Sequence, residues 1–130
     1  MLARDEFSRW LGLEVLELRP ACCTCRMTVR DEMVNGFGVA HGGIVFSLAD
    51  SAFAFACNTQ GRIAMSIENS ITYPAPVQPG DLLTAVAEEE SATQRLGFYR
   101  VKVTNQRGET VALFRGTVYK TSQEHPGGDV

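Results

Sequence analysis

The sequence lacks the features that mark several large classes of protein. Its 130 residues carry 12 Lys and Arg against 15 Asp and Glu, for a net charge of −3, and the basic residues are scattered. There is therefore no positive field to attract nucleic acid. No apolar run reaches the roughly 18 residues that cross a bilayer, and Asp5 and Glu6 occupy positions where a signal peptide needs apolar residues. We expect a cytoplasmic protein that binds neither nucleic acid nor membranes.

Cysteine is present, but not in a pattern that predicts disulfides or a metal site. Three of the four cysteines crowd into the segment ACCTC, where neighbours on one strand cannot easily pair with each other. The other potential ligands, Cys57, His41 and His125, form no second pair at metal-binding spacing. We therefore expect reduced thiols that pack in a strand, and no metal site.

Hydrophobic periodicity predicts one α+β domain. With 45% hydrophobic and 21% charged residues, and no linker or internal repeat, residues 1–122 are expected to form a single domain and 123–130 a flexible C-terminal tail. The predicted elements are a short helix at 2–11, a strand or hairpin within 13–30, a long helix at 43–60, and strands at 63–73, 82–93, 96–105 and 110–120. A single long helix can bury its apolar surface only against the concave face of a curled antiparallel sheet.

The long helix carries an unusual polar stripe with a carboxylate in its middle. Small residues recur there at intervals of three and four, namely Gly43, Ser47, Asp50, Ser51, Ala54 and Asn58. A stripe that simply faces water usually gathers Lys, Glu and Arg. This one is more typical of a surface that another surface approaches closely.

Two glycines, Gly42 and Gly43, stand where this helix should begin. Backbone N–H groups in a first turn lack intrahelical partners and point outward at the positive end of the helix dipole. Without side chains, the glycines allow a substrate carbonyl oxygen to approach those donors, as in an oxyanion site. The alternative is a tight loop-to-helix entry that binds no ligand.

Asp50 lies seven or eight residues beyond the two glycines, about 10 to 12 Å along the helix. It therefore cannot act on a carbonyl group held by its own Gly42. If two copies of the helix run antiparallel across a two-fold axis, Asp50 of one subunit can face Gly42 and Gly43 of the other. This arrangement predicts a homodimer with two composite sites.

Several motifs, taken in order, resemble the hotdog-fold acyl-CoA thioesterases, in particular the PaaI branch of phenylacetic acid degradation. They are Asn35, the H-G-G of 41–43, the L-A-D of 48–50, the A-F-A-x-A-x-N of 52–58 and the S-I-x-x-S-I-T-Y-x-x-P of 66–76. The order of elements agrees over about residues 7–121. The resemblance implies a helix wrapped by an antiparallel sheet, dimers with a continuous sheet that commonly pair into tetramers, and thioester hydrolysis without metal or organic cofactor.

The resemblance also implies roles for individual residues. Asp50 takes the position of the catalytic carboxylate, as general base or nucleophile, and the backbone N–H of Gly42 polarises the thioester carbonyl. Asn35 and His41 flank that group, and Ser66 takes the position of a residue that helps to place the water. One carboxylate and one oxyanion donor can suffice because a thiol, with a pKa of about 8.5, leaves largely without protonation.

Substrate contacts follow less directly from the sequence. Arg95 beside Gly97 resembles positions that contact the nucleotide end of CoA, although a solvated arginine at a hairpin is an equal alternative. Phe53 and Tyr73 could line an acyl pocket, or could belong to the core.

The expected activity is hydrolysis of phenylacetyl-CoA, its ring-hydroxylated relatives or other aryl-acyl-CoA thioesters. Two alternatives on the same fold stay open. A hotdog hydratase normally presents a catalytic His with an acidic residue in the helix region, whereas here the helix carries only Asp50. The other alternative is a non-catalytic acyl-CoA-binding or sensing domain.

Overall fold

The computed structural model describes residues 5–126 and has the predicted α+β architecture. Two helices and six strands follow one another along the chain, with a 3-10 turn at Asp31–Met33 before the second helix. Their bounds are α1 Glu6–Leu11, β1 Glu14–Arg19, β2 Cys22–Thr28, α2 Gly42–Cys57, β3 Arg62–Thr72, β4 Leu82–Ala92, β5 Leu96–Thr104 and β6 Thr110–Glu124. No helix among residues 5–126 is both long and apolar enough to cross a membrane.

The strands form one antiparallel sheet in the order β1-β2-β4-β5-β6-β3. β4, β5 and β6 are the predicted meander. The inward face of β2 carries Cys23, Cys25 and Met27, all buried, as the period-two pattern predicted. α2 lies across this face and packs mainly against β2, β4 and β5.

The core lies between α2 and the sheet. Leu48, Ala52 and Phe53 of α2 are almost completely buried, and the Phe53 ring meets Tyr99 and Phe114 with centroids 5.5 Å apart. A Cβ atom on Gly116 would lie 2.6 Å from the Phe53 ring. β6 therefore needs a glycine at this position for α2 to lie close against the sheet.

α2 ends at Cys57, earlier than the predicted end at residue 60. The next residue, Asn58, turns inward: its Nδ2 donates to the Ala54 carbonyl at 2.9 Å, and its Oδ1 accepts from the Ala64 N–H at 2.9 Å. Asn58 is 5% exposed. Its predicted place on the open stripe was wrong, because the side chain satisfies the helix end and the start of β3 instead.

The domain extends beyond residue 122, where the tail was expected to begin. β6 continues to Glu124, which is paired with Arg62. The His125 N–H then donates to the Gly61 carbonyl at 2.7 Å, and its Nε2 lies 2.7 Å from Asn58 Oδ1. Residues 123–125 are thus tied to the domain by hydrogen bonds, while 127–130 lie outside the described residues.

Candidate active site

At the N-terminus of α2, the backbone N–H of Gly43 is hydrogen-bonded and that of Gly42 is left open. His41 caps the helix, and its Nδ1 accepts a hydrogen bond from the Gly43 N–H at 3.0 Å. The Gly42 N–H donates to no other residue among 5–126. Of the two predicted oxyanion donors, the structure therefore leaves Gly42 available and gives Gly43 a structural partner.

Tyr73 explains why residue 42 is a glycine. Its hydroxyl donates to the Gly42 carbonyl at 2.8 Å, and a Cβ atom on Gly42 would lie 3.3 Å from the Tyr73 ring. Burial raises the pKa of Tyr73, so the hydroxyl keeps its proton and remains a donor. The structure thus brings together two of the predicted site residues and fixes the backbone next to the open amide.

Asp50 is half-buried in the third turn of α2, and its carboxylate makes no hydrogen bond within residues 5–126. Burial raises its pKa, with a smaller contribution from the charge of Asp5. A carboxyl group that is partly desolvated and has no partner is costly to ionise. Such groups cluster at functional sites, where perturbed acids act as bases or nucleophiles.

The short helix α1 packs on the polar stripe of α2. The Ser8 hydroxyl, 1% exposed, donates to Asp5 Oδ2 at 2.7 Å and lies 2.9 Å from the Ser51 hydroxyl. Part of the stripe is therefore approached closely by another element of the same chain. Asp50, the residue before Ser51, is half-buried next to this contact between the two helices.

Ser66 lies on β3, at the free edge of the sheet. It is opposite Val118, whose side chain is buried, so Ser66 points to the α2 side of the sheet. Its hydroxyl donates to Asn69 Oδ1 at 2.9 Å. No sequence pattern pointed to Asn69, because an irregularity between Ser66 and Glu68 breaks the period of two.

Two other predicted residues take structural roles. The Asn35 side chain accepts a hydrogen bond from the Phe37 N–H at 2.8 Å and shapes the loop before α2. Phe53 is 1% exposed and belongs to the core, so its predicted place in an acyl pocket was wrong. The helical period alone could not decide between an acyl pocket and the core for Phe53. This residue lies beside the polar stripe, on the side of α2 that faces the sheet.

Arg95 lies in a positively charged cleft of about 560 Å³ between the β4–β5 hairpin and the end of β6. Arg62 and Lys120 also line this cleft, and no carboxylate does. The Arg62 guanidinium donates to the Gln94 carbonyl at 2.8 Å, which fixes it at the cleft wall. The cleft thus offers three cations to an anionic ligand.

Gly97 does not line this cleft. It is buried in the sheet, and a Cβ atom there would lie 3.0 Å from Val118 Cγ2 and 3.5 Å from Lys120 Cε. Its predicted contact with the substrate is therefore replaced by a packing role, because the absent side chain lets β5 and β6 lie close beside the Lys120 stem.

The cysteines carry free thiols. Cys23 and Cys25 project from the same face of β2 with sulfurs 3.4 Å apart in the core. Within residues 5–126, no three His, Cys, Asp or Glu side chains group as metal ligands would.

Comparison with known proteins places this site in a family. Residues 37–112 match the thioesterase superfamily model. The acyl-coenzyme A thioesterase PaaI of Escherichia coli is 38% identical over 120 residues, which cover 92% of this chain and 86% of that protein. Its solved structure superposes with a TM-score of 0.93 at 37% identity, covering 95% of this chain and 90% of that one.

Two further solved structures are similar. A protein of Thermus thermophilus has a TM-score of 0.87 and 42% identity, over 91% of this chain and 99% of that one. A protein of Streptococcus mutans, solved bound to acetyl CoA, has a TM-score of 0.83 and 25% identity, over 87% and 91%.

The chain therefore belongs to the thioesterase superfamily, as a hotdog-fold acyl-CoA thioesterase of the PaaI branch. The resemblance drawn from the motifs, the fold class and the class of enzyme, a thioester hydrolase, are confirmed.

Proposed function

We propose that the protein hydrolyses phenylacetyl-CoA, ring-hydroxylated phenylacetyl-CoA or related aryl-acyl-CoA thioesters to the free acid and CoA. The observation that carries the proposal is the pairing, on one helix, of an open Gly42 amide with the unpartnered, half-buried carboxylate of Asp50. The similar E. coli enzyme is an acyl-CoA thioesterase, and a similar structure holds acetyl CoA, which supports the substrate class.

The site is completed by a homodimer. Asp50 is eight residues from Gly42, about 12 Å along α2, so the two groups of one chain cannot act on one carbonyl. An antiparallel copy of α2 across a two-fold axis brings the partner's Asp50 to Gly42 and, by symmetry, Asp50 to the partner's Gly42. Each dimer then has two equal sites.

β3 supplies the surface for this pairing. It is the last strand of the sheet and is 11 residues long, and its large side chains Met65 and Ile67 are 60% and 59% exposed. A long, apolar edge with free backbone groups is a template for another strand. The opposite edge, β1, is shorter, irregular and carries Glu14, Glu17 and Arg19. We place the dimer axis at β3, which also brings Ser66 to the interface.

The dimers in turn pair into a tetramer through the outer face of the sheet. Two large apolar side chains stand exposed there, Phe98 on β5 and Leu113 on β6, at 37% and 49%. Exposed apolar side chains on a sheet face favour burial against another surface.

The reaction needs only these groups. In the general-base route, Asp50 of one subunit takes a proton from a water molecule while the water oxygen attacks the thioester carbon. The Gly42 N–H of the other subunit stabilises the oxyanion that forms. The tetrahedral intermediate expels the CoA thiolate, which then takes up that proton. In the nucleophilic route, the carboxylate attacks first, and water hydrolyses the mixed anhydride. In both, the hydrogen bond from Tyr73 to the Gly42 carbonyl holds the peptide next to the donor amide in place.

The charged cleft at Arg95 holds the phosphates of CoA. Arg62, Arg95 and Lys120 present three cations without a competing carboxylate, which suits a polyanionic nucleotide. The thiols are unpaired, which agrees with work in the reducing cytoplasm.

Release of free thiol from phenylacetyl-CoA tests the function. We expect turnover by the wild type, and a loss of at least about 100-fold in kcat for Asp50→Asn in a folded protein. Turnover that survives this substitution would remove Asp50 from the mechanism. If no aryl or aliphatic acyl-CoA is cleaved but CoA thioesters bind, the protein is a binding domain. Addition of water to an enoyl-CoA without thiol release would indicate a hydratase.

Mixing subunits tests the composite site. Asp50→Ala and Gly42→Val chains are each expected to be inactive. Heterodimers of the two retain one site with both an intact amide and an intact carboxylate, so mixing should restore part of the activity, up to about one half per heterodimer. If refolded mixtures with proven subunit exchange stay inactive, each site lies within one subunit.

A further inference from the structure

A second cleft, of about 290 Å³, opens at the N-terminus of α2, where His41 and Gly43 flank the open Gly42 amide. Phe7 of α1 forms an aromatic wall of the cleft, which is also lined by the apolar residues Met33, Val34 and Ile44. A thioester whose carbonyl oxygen sits on the Gly42 N–H carries its acyl group within reach of this cleft.

The aromatic wall is held in place by contacts that α1 makes on both sides. On one side, Ser8 joins Asp5 and Ser51 by hydrogen bonds of 2.7 and 2.9 Å and fixes α1 to α2. The Phe7 ring stacks on Trp10, with centroids 6.1 Å apart and planes 13° from parallel. A wall preorganised in this way costs little entropy when a ligand docks against it.

A charged contact supports the other side of the aromatic pair. The Arg30 guanidinium lies 4.8 Å from the centre of the Trp10 ring. Its Nε also donates to Glu32 Oε1, and Glu32 lines the cleft. Phe7 is nevertheless 54% exposed and Trp10 50%. Phe7, which lines the cleft and is supported from behind by Trp10, favours a ligand with an apolar face.

The geometry points to this cleft as the acyl subsite, with Phe7 of α1 as the residue that selects a compact aromatic acyl group. The inference rests on the proposed thioesterase activity and goes beyond it by assigning selectivity to the first helix. The volume lies at the lower end of ligand pockets, which suits one ring and excludes a long fatty acyl chain. The Phe7 ring offers such a group an aromatic partner, and an acetyl group is too small to use it.

Turnover of two substrates tests the assignment. For Phe7→Ala we expect kcat/KM for phenylacetyl-CoA to fall about tenfold or more, while acetyl-CoA hydrolysis changes less than about twofold. Phe7→Leu, which restores volume but not the ring, should recover only part of the loss. Leu16→Ala, which removes a similarly exposed apolar side chain from the edge strand β1, is the matched control and should not change the ratio of the two substrates. An equal effect of Phe7→Ala on both substrates would overturn the inference.

Binding provides a test that does not depend on catalysis. Trp10 is the single tryptophan of the chain and stacks on Phe7, so its fluorescence reports on this cleft. The probes are two non-hydrolysable thioethers, 2-oxo-3-phenylpropyl-CoA and 2-oxopropyl-CoA, which replace phenylacetyl-CoA and acetyl-CoA. We expect the phenyl probe to change the Trp10 emission and to bind at least about tenfold more tightly than the other, with the difference lost in Phe7→Ala.

The two tests separate the possible failures. A protein that cleaves no thioester but shows the Phe7-dependent binding difference refutes the proposed hydrolysis and keeps the cleft assignment. A protein that cleaves phenylacetyl-CoA but binds both probes equally, with or without Phe7, keeps the activity and refutes the assignment. Circular dichroism and the unfolding midpoint of each variant establish that the fold is retained.

Discussion

The hydroxyl of Tyr73 donates a hydrogen bond to the carbonyl oxygen of Gly42 at 2.8 Å, and the tyrosine ring lies 3.3 Å from the point where a Cβ atom on that glycine would stand. The contact joins the end of β3 to the first residue of α2 and orients the peptide next to the free amide. Backbone donors are effective oxyanion partners only when they are held in place before the reaction starts. We therefore propose Tyr73 as a positioning residue for the proposed oxyanion donor.

Gly42→Ala should lower kcat without unfolding the protein. The new Cβ would stand 3.3 Å from the Tyr73 ring, so the ring or the helix start must shift by a few tenths of an ångström. We expect kcat for phenylacetyl-CoA to fall about tenfold or more, because small misplacements of a catalytic donor are costly. Steady-state kinetics at saturating substrate measures this.

A second substitution provides the control. In Gly42→Ala/Tyr73→Ala the clash is gone but so is the hydrogen bond, so activity should stay low. Tyr73→Phe keeps the ring and removes only the hydroxyl; it should reduce kcat more than it changes KM. An unchanged kcat in Tyr73→Phe would show that the Gly42 peptide is oriented by other contacts.

Asp50→Asn should stabilise the fold while it removes activity. Because burial raises the pKa of Asp50 in the folded state, ionising this carboxyl at neutral pH costs stability that the amide avoids. We expect the midpoint of thermal unfolding at pH 8 to rise by about 2 to 5 °C. Below the unfolded-state pKa of about 3.9 both proteins are neutral at this position, and the difference should vanish.

The same pKa shift fixes the direction of the pH profile for activity. Asp50 must be ionised to act, so kcat/KM should rise with pH through a pKa above the ordinary aspartate value. A plot of log kcat/KM against pH between 4 and 8 measures it. Replacement of Asp5 by Asn removes the nearby charge that adds to the shift, so the rise should move to lower pH. A pH profile that is the same in wild type and Asp5→Asn would contradict the effect of the Asp5 charge on the pKa of Asp50.

Asp81 should matter for stability and not for catalysis. It is 4% exposed, and its carboxylate accepts hydrogen bonds from the Gln78 N–H and Gln106 Nε2, each at 2.9 Å. Burial alone would raise the pKa of Asp81, but these hydrogen bonds and the charge of Arg107 lower it below the ordinary value. We expect Asp81→Ala to reduce the free energy of unfolding by about 2 to 3 kcal/mol, measured by urea denaturation.

Acid titration of stability checks the Asp81 assignment. Because its folded-state pKa is lowered, its contribution is present above the unfolded-state pKa and is lost as the pH falls through the folded-state value. The difference between wild type and Asp81→Asn should therefore shrink at acidic pH. Unchanged kcat in Asp81→Asn, measured at neutral pH on the folded variant, completes the test.

A charge in the middle of β3 should separate the dimer. Ile67→Arg places two like charges close together across the proposed two-fold axis, which opposes strand pairing. We expect monomers in sedimentation at micromolar concentration, with activity reduced about 100-fold or more because each site needs two chains. Leu16→Arg, a similar exposed position on the other edge strand, should keep the assembly and the activity. A stable dimer of Ile67→Arg would move the interface away from β3.

Much of the site could be predicted from spacing along the chain. The period of 3.6 put Gly43, Ser47, Asp50 and Ser51 on one stripe of α2, and the double glycine marked the helix start. The separation of Gly42 and Asp50 followed from helix geometry alone. These conclusions depend on contacts within a few turns, which the sequence encodes directly.

Contacts between distant segments could not be read in this way. That Asn58 turns inward to meet Ala64 and His125 depends on how the chain returns after β6. That α1 lies on Ser51 depends on two serines 43 residues apart, and no local pattern pairs them. The prediction for Phe53 was wrong because it also depends on a distant segment. Only the close approach of Gly116 in β6 shows that the Phe53 ring packs against the sheet.

The sequence by itself determined the class of fold and the family, and it indicated the two halves of the proposed active site, because periodicity, capping residues and motif spacing are local properties. Only the tertiary structure decided which backbone amide stays free, that Tyr73 holds the peptide next to it, and that the first helix supplies a wall beside it. These outcomes arise where segments far apart in the chain compete for the same hydrogen-bonding groups and the same space.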